Sequence, residues 1–476
     1  METIPRPRPK FMVIGDSLAQ GCRSLSIKSD YCAQSWGARI AAAQKWEFIT
    51  PDFPREVLYD LEKEIRLLDT LSLSLDKLTF SNAVSRIRAN LRAWLDQPGG
   101  SQHLCFDNLG LTGATIYDLY TRTSANSAQY IQQATSGPGG PNAALRLETL
   151  GLLHISLNAR FTLNPGQSAD FADFTPLDWV KHREPEILAV QIGHNHGLFS
   201  VGFSAEDKGI ANGHPVHGGY FDQWERLAAA LAALPGTVRT ILVTLLPKVG
   251  ATGNLKPRGD ERLNGYAPFY EPVLSTRTTV FLGPRLRQID HEIQQVNQKI
   301  RSILINAARA TGEPAREKRL VFLDTWELLD KRDYKNSLQK RRRIQVDDGV
   351  AIDNRYLDGQ PQIVLGALFK LKLIAGGFLS VDGMHPSGCG YAVVASEAMK
   401  LLRLEHEVDD LLKLAFQQDT LLSRYPGELD ALVRILAILR TLQHAGQFTH
   451  APTGPLTEDS NLADILRVMK SAFQPH

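Results

Sequence analysis

Short apolar runs alternate with longer amphipathic stretches from the start of the chain to about residue 400. Residues 10–14 read as a buried strand, followed by a tight turn at Gly15-Asp16-Ser17. Residues 35–44 predict a helix with Trp36 and Ile40 on one face. A long helical pattern crosses 52–97 until Pro98-Gly99-Gly100 stops it. Residues 103–106 read as a second strand, opening into a glycine-bearing turn at Gly110 and Gly113. Further along, helices are expected at 176–182, 221–233, 288–310 and 390–402, and strands at 186–192, 239–246 and 320–323. Such alternation predicts a parallel sheet covered on both faces, with its site at the carboxyl ends of the strands.

Three stretches break the alternation and are expected to be helical insertions, at about 52–97, 250–285 and 327–375. They interrupt a domain expected over 1–400, and 401–476 reads as a helical C-terminal extension. The apolar stretch 361–379, which runs from the end of the third insertion and includes Leu365, Phe369 and Phe378, immediately precedes Asp382. It reads either as a pocket wall or lid, or as an ordinary buried helix.

Composition narrows the class only slightly. The 476 residues are 43% hydrophobic and 22% charged, as in ordinary globular proteins, and a net charge of +2 argues against nucleic acid as partner. The densest basic run, Lys340 to Arg343, is followed by Asp347 and Asp348 and reads as a solvated face. The four cysteines show no CxxC spacing. Cys22 and Cys32 could bridge in an oxidising compartment, but reduced thiols are the simpler reading. The N-terminus lacks the apolar core of a signal peptide, and no segment has the length of a membrane span. The default expectation is a cytoplasmic protein, with export without a cleaved signal left open.

The chemistry lies in four short segments. Ser17 follows the first strand, where a hydroxyl can be exposed. Asp382-Gly-Met-His385 brings a carboxylate and an imidazole a few residues apart on one loop. A serine nucleophile needs such a base, a group to orient it, and donors for an oxyanion. Gly113 offers an unobstructed backbone N–H and Asn195 a side-chain amide. Each segment also has a plain reading, since Gly-Asp-Ser and Asp-Gly-x-His-Pro serve as turns or helix caps, and Asn195 could be a cap as well.

Together the segments resemble the GDSL/SGNH hydrolases. Phe11-Met-Val-Ile-Gly-Asp-Ser-Leu18 is similar to the family's first block and Asn108-Leu-Gly-Leu-Thr-Gly-Ala-Thr115 to its second. Ile192-Gly-His-Asn-His-Gly197 is similar to the third, and Val381-Asp-Gly-Met-His-Pro-Ser387 with Gly390-Tyr391 to the last. The resemblance implies a three-layer α/β/α sandwich with a parallel, flavodoxin-like sheet. It also implies ester hydrolysis without a metal or other cofactor. Ser17, Asp382 and His385 would form the triad, with an oxyanion hole from Ser17, Gly113 and Asn195. Asp16, Leu18, His194, His196 and Met384 would line the pocket or support it. The family's third block usually has Asp after its Asn; here His196 stands there, which puts the loop's geometry in question. Absence of a GxSxG elbow argues against the α/β-hydrolase fold.

His194, His196, His214 and His217 make HxH and HxxH spacings, and HxH on a strand end would point both rings the same way. No acidic or cysteine ligand has an obvious place beside them, so pocket lining or surface histidine is the preferred reading. The expected substrate is a hydrophobic acyl or aryl ester, lipid included, with transient contact with a lipid surface as one route. A carbohydrate or cell-envelope O-deacetylase is the alternative, and a non-catalytic binding module the third reading. Oligomeric state does not follow from the sequence.

Overall fold

The structure is a computed structural model that describes residues 8–57, 60–63, 80–136, 140, 150–207, 209–213, 217–259, 262–273, 280–336, 343–364 and 367–419. Its centre is a five-stranded parallel sheet. The strands are β1 (Phe11–Gly15), β2 (Asn108–Gly110), β3 (Ile187–Gln191), β4 (Thr240–Thr244) and, later in the chain, β8 (Leu320–Leu323). Their spatial order is β2-β1-β3-β4-β8. Parallel strands covered on both faces read as continuous apolar runs, and β1 is buried along its whole length.

The register aligns the strand ends in one row. Gly15 pairs with Gly110 on one side and Gln191 on the other, Gln191 with Thr244, and Thr244 with Leu323. The first two strands run outward in one direction and the rest in the other, so the order reverses between β1 and β3. Open α/β sheets leave their ligand crevice at such a reversal. The loops that leave β1 and β3 carry Ser17 and Asn195.

Helices cover both faces. The Trp36–Ala43 helix packs with Gly388–Leu402, which in turn meets Val408–Gln418; Tyr220–Ala232 packs with Gly283–Ala310. Gly37 lets the first of these approach β1 closely, since a Cβ there would stand 2.6 Å from a Val13 methyl. No helix among the described residues is long and apolar enough to cross a membrane.

Two expectations about elements change. The second strand is Asn108–Gly110, not 103–106. Val13 N–H bonds the Asp107 carbonyl and Asp107 N–H bonds Ile49, so pairing begins only where the chain has reached β1. The insertions are not uniformly helical. The first carries the Phe80–Asp96 helix, whereas the second holds three antiparallel strands, β5 (Leu255–Arg258), β6 (Phe269–Pro272) and β7 (Phe281–Leu282). The third holds β9 (Ile344–Asp347) paired with β10 (Val350–Ile352), and β11 (Asp358–Val364) paired with β12 (Ala367–Ala375). Leu-Phe-Lys-Leu-Lys-Leu in β12 alternates with period two, which favours a strand, yet its apolar content also suits a helix. The reading of 361–379 as a buried helix therefore gives way to a hairpin up to Ala375. Tail helix continues to Gln418, and the rest of the predicted extension lies outside the described residues, as do 64–79 of the first insertion.

Candidate active site

β1 ends in a backbone that only glycine fits. Gly15 has φ +155°, and a Cβ there would stand 2.0 Å from the Gln191 carbonyl oxygen. Asp16 follows as the N-cap of a one-turn helix, Ser17–Gln20. Its Oδ1 accepts the Leu18 N–H at 3.1 Å, and its Oδ2 lies 2.7 Å from His194 Nδ1. Capping thus accounts for Asp16 and fixes the start of the turn. It leaves Ser17 as the first helical residue with its hydroxyl directed at His385.

His385 Nε2 is 3.1 Å from Ser17 Oγ, and His385 Nδ1 is 2.8 Å from Asp382 Oδ2. The Asp382 carboxylate is fully buried. Its Oδ1 accepts the N–H groups of Met384 and His385, each at 2.8 Å, and the Ser380 hydroxyl at 3.1 Å. Oδ2 also accepts the Leu25 N–H at 3.0 Å. Burial works to raise the Asp382 pKa, but the neighbouring His385 charge and these hydrogen bonds hold it below the usual carboxylate range. For His385 burial works against charging, while the Cys22 sulfur and the Asp382 carboxylate outweigh it and raise the pKa well above the ordinary histidine value. An ionised Asp382 accepts the hydrogen bond from Nδ1–H and, when the imidazole is neutral, leaves the Nε2 lone pair facing the serine.

The segments after β2 and β3 meet each other beyond the strand ends. Asn195 is buried and donates from Nδ2 to the Ala114 carbonyl at 2.8 Å, which ties the third segment to the second. Gly113 has φ +86°, but a Cβ there would touch only Ile155 at 3.9 Å. Conformation rather than room demands glycine at this position. His196 bridges the same two segments. Its Nε2 accepts the Ile116 N–H at 3.3 Å, its Nδ1 donates to the Asn212 carbonyl at 2.9 Å, and its ring meets Tyr220 edge-on. A neutral imidazole therefore braces the loop at the position where the resemblance led to an aspartate.

The histidines do not converge. His194 turns to Asp16, His196 to Ile116 and Asn212, and His217 stacks on Tyr117 at 3.8 Å, while His214 lies outside the described residues. The shared direction expected of HxH fails because both residues lie beyond the end of β3, in a loop. Among the described residues no group of three or more His, Cys, Asp or Glu side chains is placed to hold a metal ion. The four cysteines are buried free thiols. Met384, next to His385 in the chain, is half-buried against Gly202, where a Cβ would stand 2.6 Å from Met384 Cε. Phe199 and Phe203 stack nearby on the Leu198–Ser204 helix.

Several residues around the site were assigned no role from the sequence. The Tyr391 hydroxyl donates to the Cys22 carbonyl and Tyr356 to the Val381 carbonyl. Asn254, from the second insertion, donates its backbone N–H to Gly383 and its side-chain amide to Gly202 and Phe203. Ser24 and Ser380 stand behind Asp382. Only Tyr391 lies in one of the four segments; the others come from stretches whose partners are distant in sequence.

Comparison with known families places the chain. The family model described as GDSL-like Lipase/Acylhydrolase matches residues 11–398, from the start of β1 almost to the end of the Gly388–Leu402 helix. No curated protein and no solved structure matches the chain. The match takes in all four segments in their order and most of the chain's length, and by it the protein belongs to the GDSL-like lipase/acylhydrolase family.

Proposed function

We propose that the protein hydrolyses carboxylic esters through an acyl-enzyme on Ser17. The observation that carries this reading is the unbroken hydrogen-bonded chain Ser17 Oγ, His385, Asp382 at the carboxyl ends of β1 and its neighbours. His385 Nε2 takes the serine proton as Oγ attacks the acyl carbon, then returns it to the departing alcohol; Asp382 holds the tautomer. Water attacks the acyl-enzyme with His385 again as base. The N–H groups of Ser17 and Gly113 and the second amide hydrogen of Asn195 Nδ2 bind the oxyanion.

For the substrate, the half-buried Met384, next to His385 in the chain and packed on the helix that carries Phe199, favours an apolar acyl or aryl group. Purified protein is expected to release p-nitrophenol from short- or medium-chain esters, and Ser17→Ala to abolish turnover and labelling by a fluorophosphonate. Equal rates in wild type and variant would sink the proposal. Release of acetate from acetylated glycans, with poor turnover of butyrate and longer esters, would select the deacetylase reading instead.

A further inference from the structure

Behind Asp382 lies a turn that ought to be unstable. Ser24 and Leu25 are consecutive non-glycine residues at φ +50° and +61°, in a hairpin closed by mutual backbone hydrogen bonds of Arg23 and Ser26. Two left-handed residues in a row are normally Asn-Gly or Gly-Gly. Strain of this kind persists only where the surroundings over-determine it. Here the turn presents two groups to the carboxylate. Leu25 N–H donates to Asp382 Oδ2, the oxygen that meets His385, and Ser24 N–H donates to Ser380 Oγ, whose own proton goes to Asp382 Oδ1.

The turn is gripped from outside by Glu62, in the first insertion. Ser24 Oγ donates to Glu62 Oε1 at 2.6 Å and accepts the Val381 N–H, while Arg23 Nη2 meets Glu62 Oε2 at 2.9 Å. Backbone contacts run the same way, since Leu61 N–H bonds the Ser24 carbonyl and Val57 N–H that of Ile27. Arg23 also reaches Asp419, at the end of the Val408–Gln418 helix, at 3.3 Å. The side chains of Arg23, Glu62 and Asp419 are wholly buried. Buried ion pairs seldom stabilise more than an apolar packing of the same volume, and fixing one conformation is their better-attested use.

The geometry points to Glu62 as a positioning residue that, through Ser24 and Arg23, holds the turn on which the Asp382 carboxylate rests. The inference depends on reading Ser17, His385 and Asp382 as the triad. A loosened turn lets Asp382 swing away from His385, which weakens the base and lowers the pKa that Asp382 helps to raise.

The test measures the rate constant for fluorophosphonate labelling of Ser17 in the full chain across pH, per folded molecule as judged by circular dichroism. Glu62→Gln is expected to lower the maximal rate by roughly 10–100-fold, since small misplacements at a catalytic group have effects of that size. The midpoint of the acid limb is expected to move to lower pH. Ser24→Ala, which removes one hydroxyl and leaves the Arg23–Glu62 pair, is expected to move both in the same directions by less. Glu56→Gln, a carboxylate of the same segment paired with Lys63, leaves both unchanged. Cys22, Tyr356, Tyr391 and Asp16, the other titratable groups around the pair, are the same in every variant. If Glu62→Gln and Ser24→Ala lower thermal stability but label at the wild-type rate with an unmoved limb, Glu62 is structural only and the inference fails. A wild type that does not label at all overturns the triad reading, and this one with it.

Discussion

Asn195 and His385 give the sharpest tests residue by residue. Asn195 lends one amide hydrogen to the Ala114 carbonyl, so its orientation is set before any substrate arrives. Replacing it by alanine is expected to lower kcat by about 10²–10³, equivalent to ~2.7–4 kcal/mol of transition-state stabilisation, with KM nearly unchanged. His385 must be neutral to accept the serine proton. Burial lowers its pKa, but Cys22 and Asp382 together raise it above the ordinary value of 6.5. The rate therefore falls as pH drops through that raised pKa, and kcat/KM should show an acid limb centred above 6.5. Asp382→Asn should move the limb down and cost about 10⁴ in kcat, because the Nδ1 proton loses its acceptor. A limb centred below 6.5 in the wild type would contradict the assignment.

Loops, more than strands or helices, separate what was expected of the elements from what is found. The five sheet strands announce themselves as apolar runs, and only β2 is displaced, by a few residues, because its pairing depends on where Asp107 meets Ile49. His196 is the loop residue whose role required the fold. With Nε2 accepting from Ile116 and Nδ1 donating to Asn212, it joins the segments that hold Gly113 and Asn195. His196→Ala leaves a buried N–H and a carbonyl without that partner and should destabilise the protein by about 1–3 kcal/mol in urea unfolding. On the proposed mechanism it should also lower kcat, since the proposed oxyanion donors lose their brace. His196→Asn, which keeps one donor and one acceptor, should recover part of both.

On the scale of the whole molecule, the insertions are stitched into the catalytic body by buried polar groups. Lys248, just after β4, pairs with Asp330 at 2.8 Å and Asp333 at 2.9 Å. Asn354 donates to Asp333 at 2.8 Å and to the Ala251 carbonyl, and Asn336 donates to Asp333 and to Gly250. Burial would raise the Asp333 pKa, yet the charges of Lys248 and Lys335 keep it below the usual carboxylate range. Asp333→Ala strips these donors of their acceptor and should destabilise the fold by roughly 3–5 kcal/mol in chemical denaturation. An unchanged denaturation midpoint would show the stitch to be dispensable.

By itself the sequence determined the sheet, the order of its strands along the chain and the four segments that bear Ser17, Gly113, Asn195 and the Asp382–His385 loop. These follow from local causes: an apolar run long enough to be buried, a glycine at positive φ, a capping aspartate. Only the tertiary structure decided how those segments meet. It sent His194 to Asp16 rather than to a metal, made His196 a brace, and made strands of β5–β7 and β9–β12, among them β12, where period-two and helical readings were both in reach. It alone brought Glu62 and Asp419 to Arg23 behind the Asp382 carboxylate. The reason is physical. A charge becomes tolerable in the core only beside its partner, and partners separated by dozens or hundreds of residues leave no mark on local sequence.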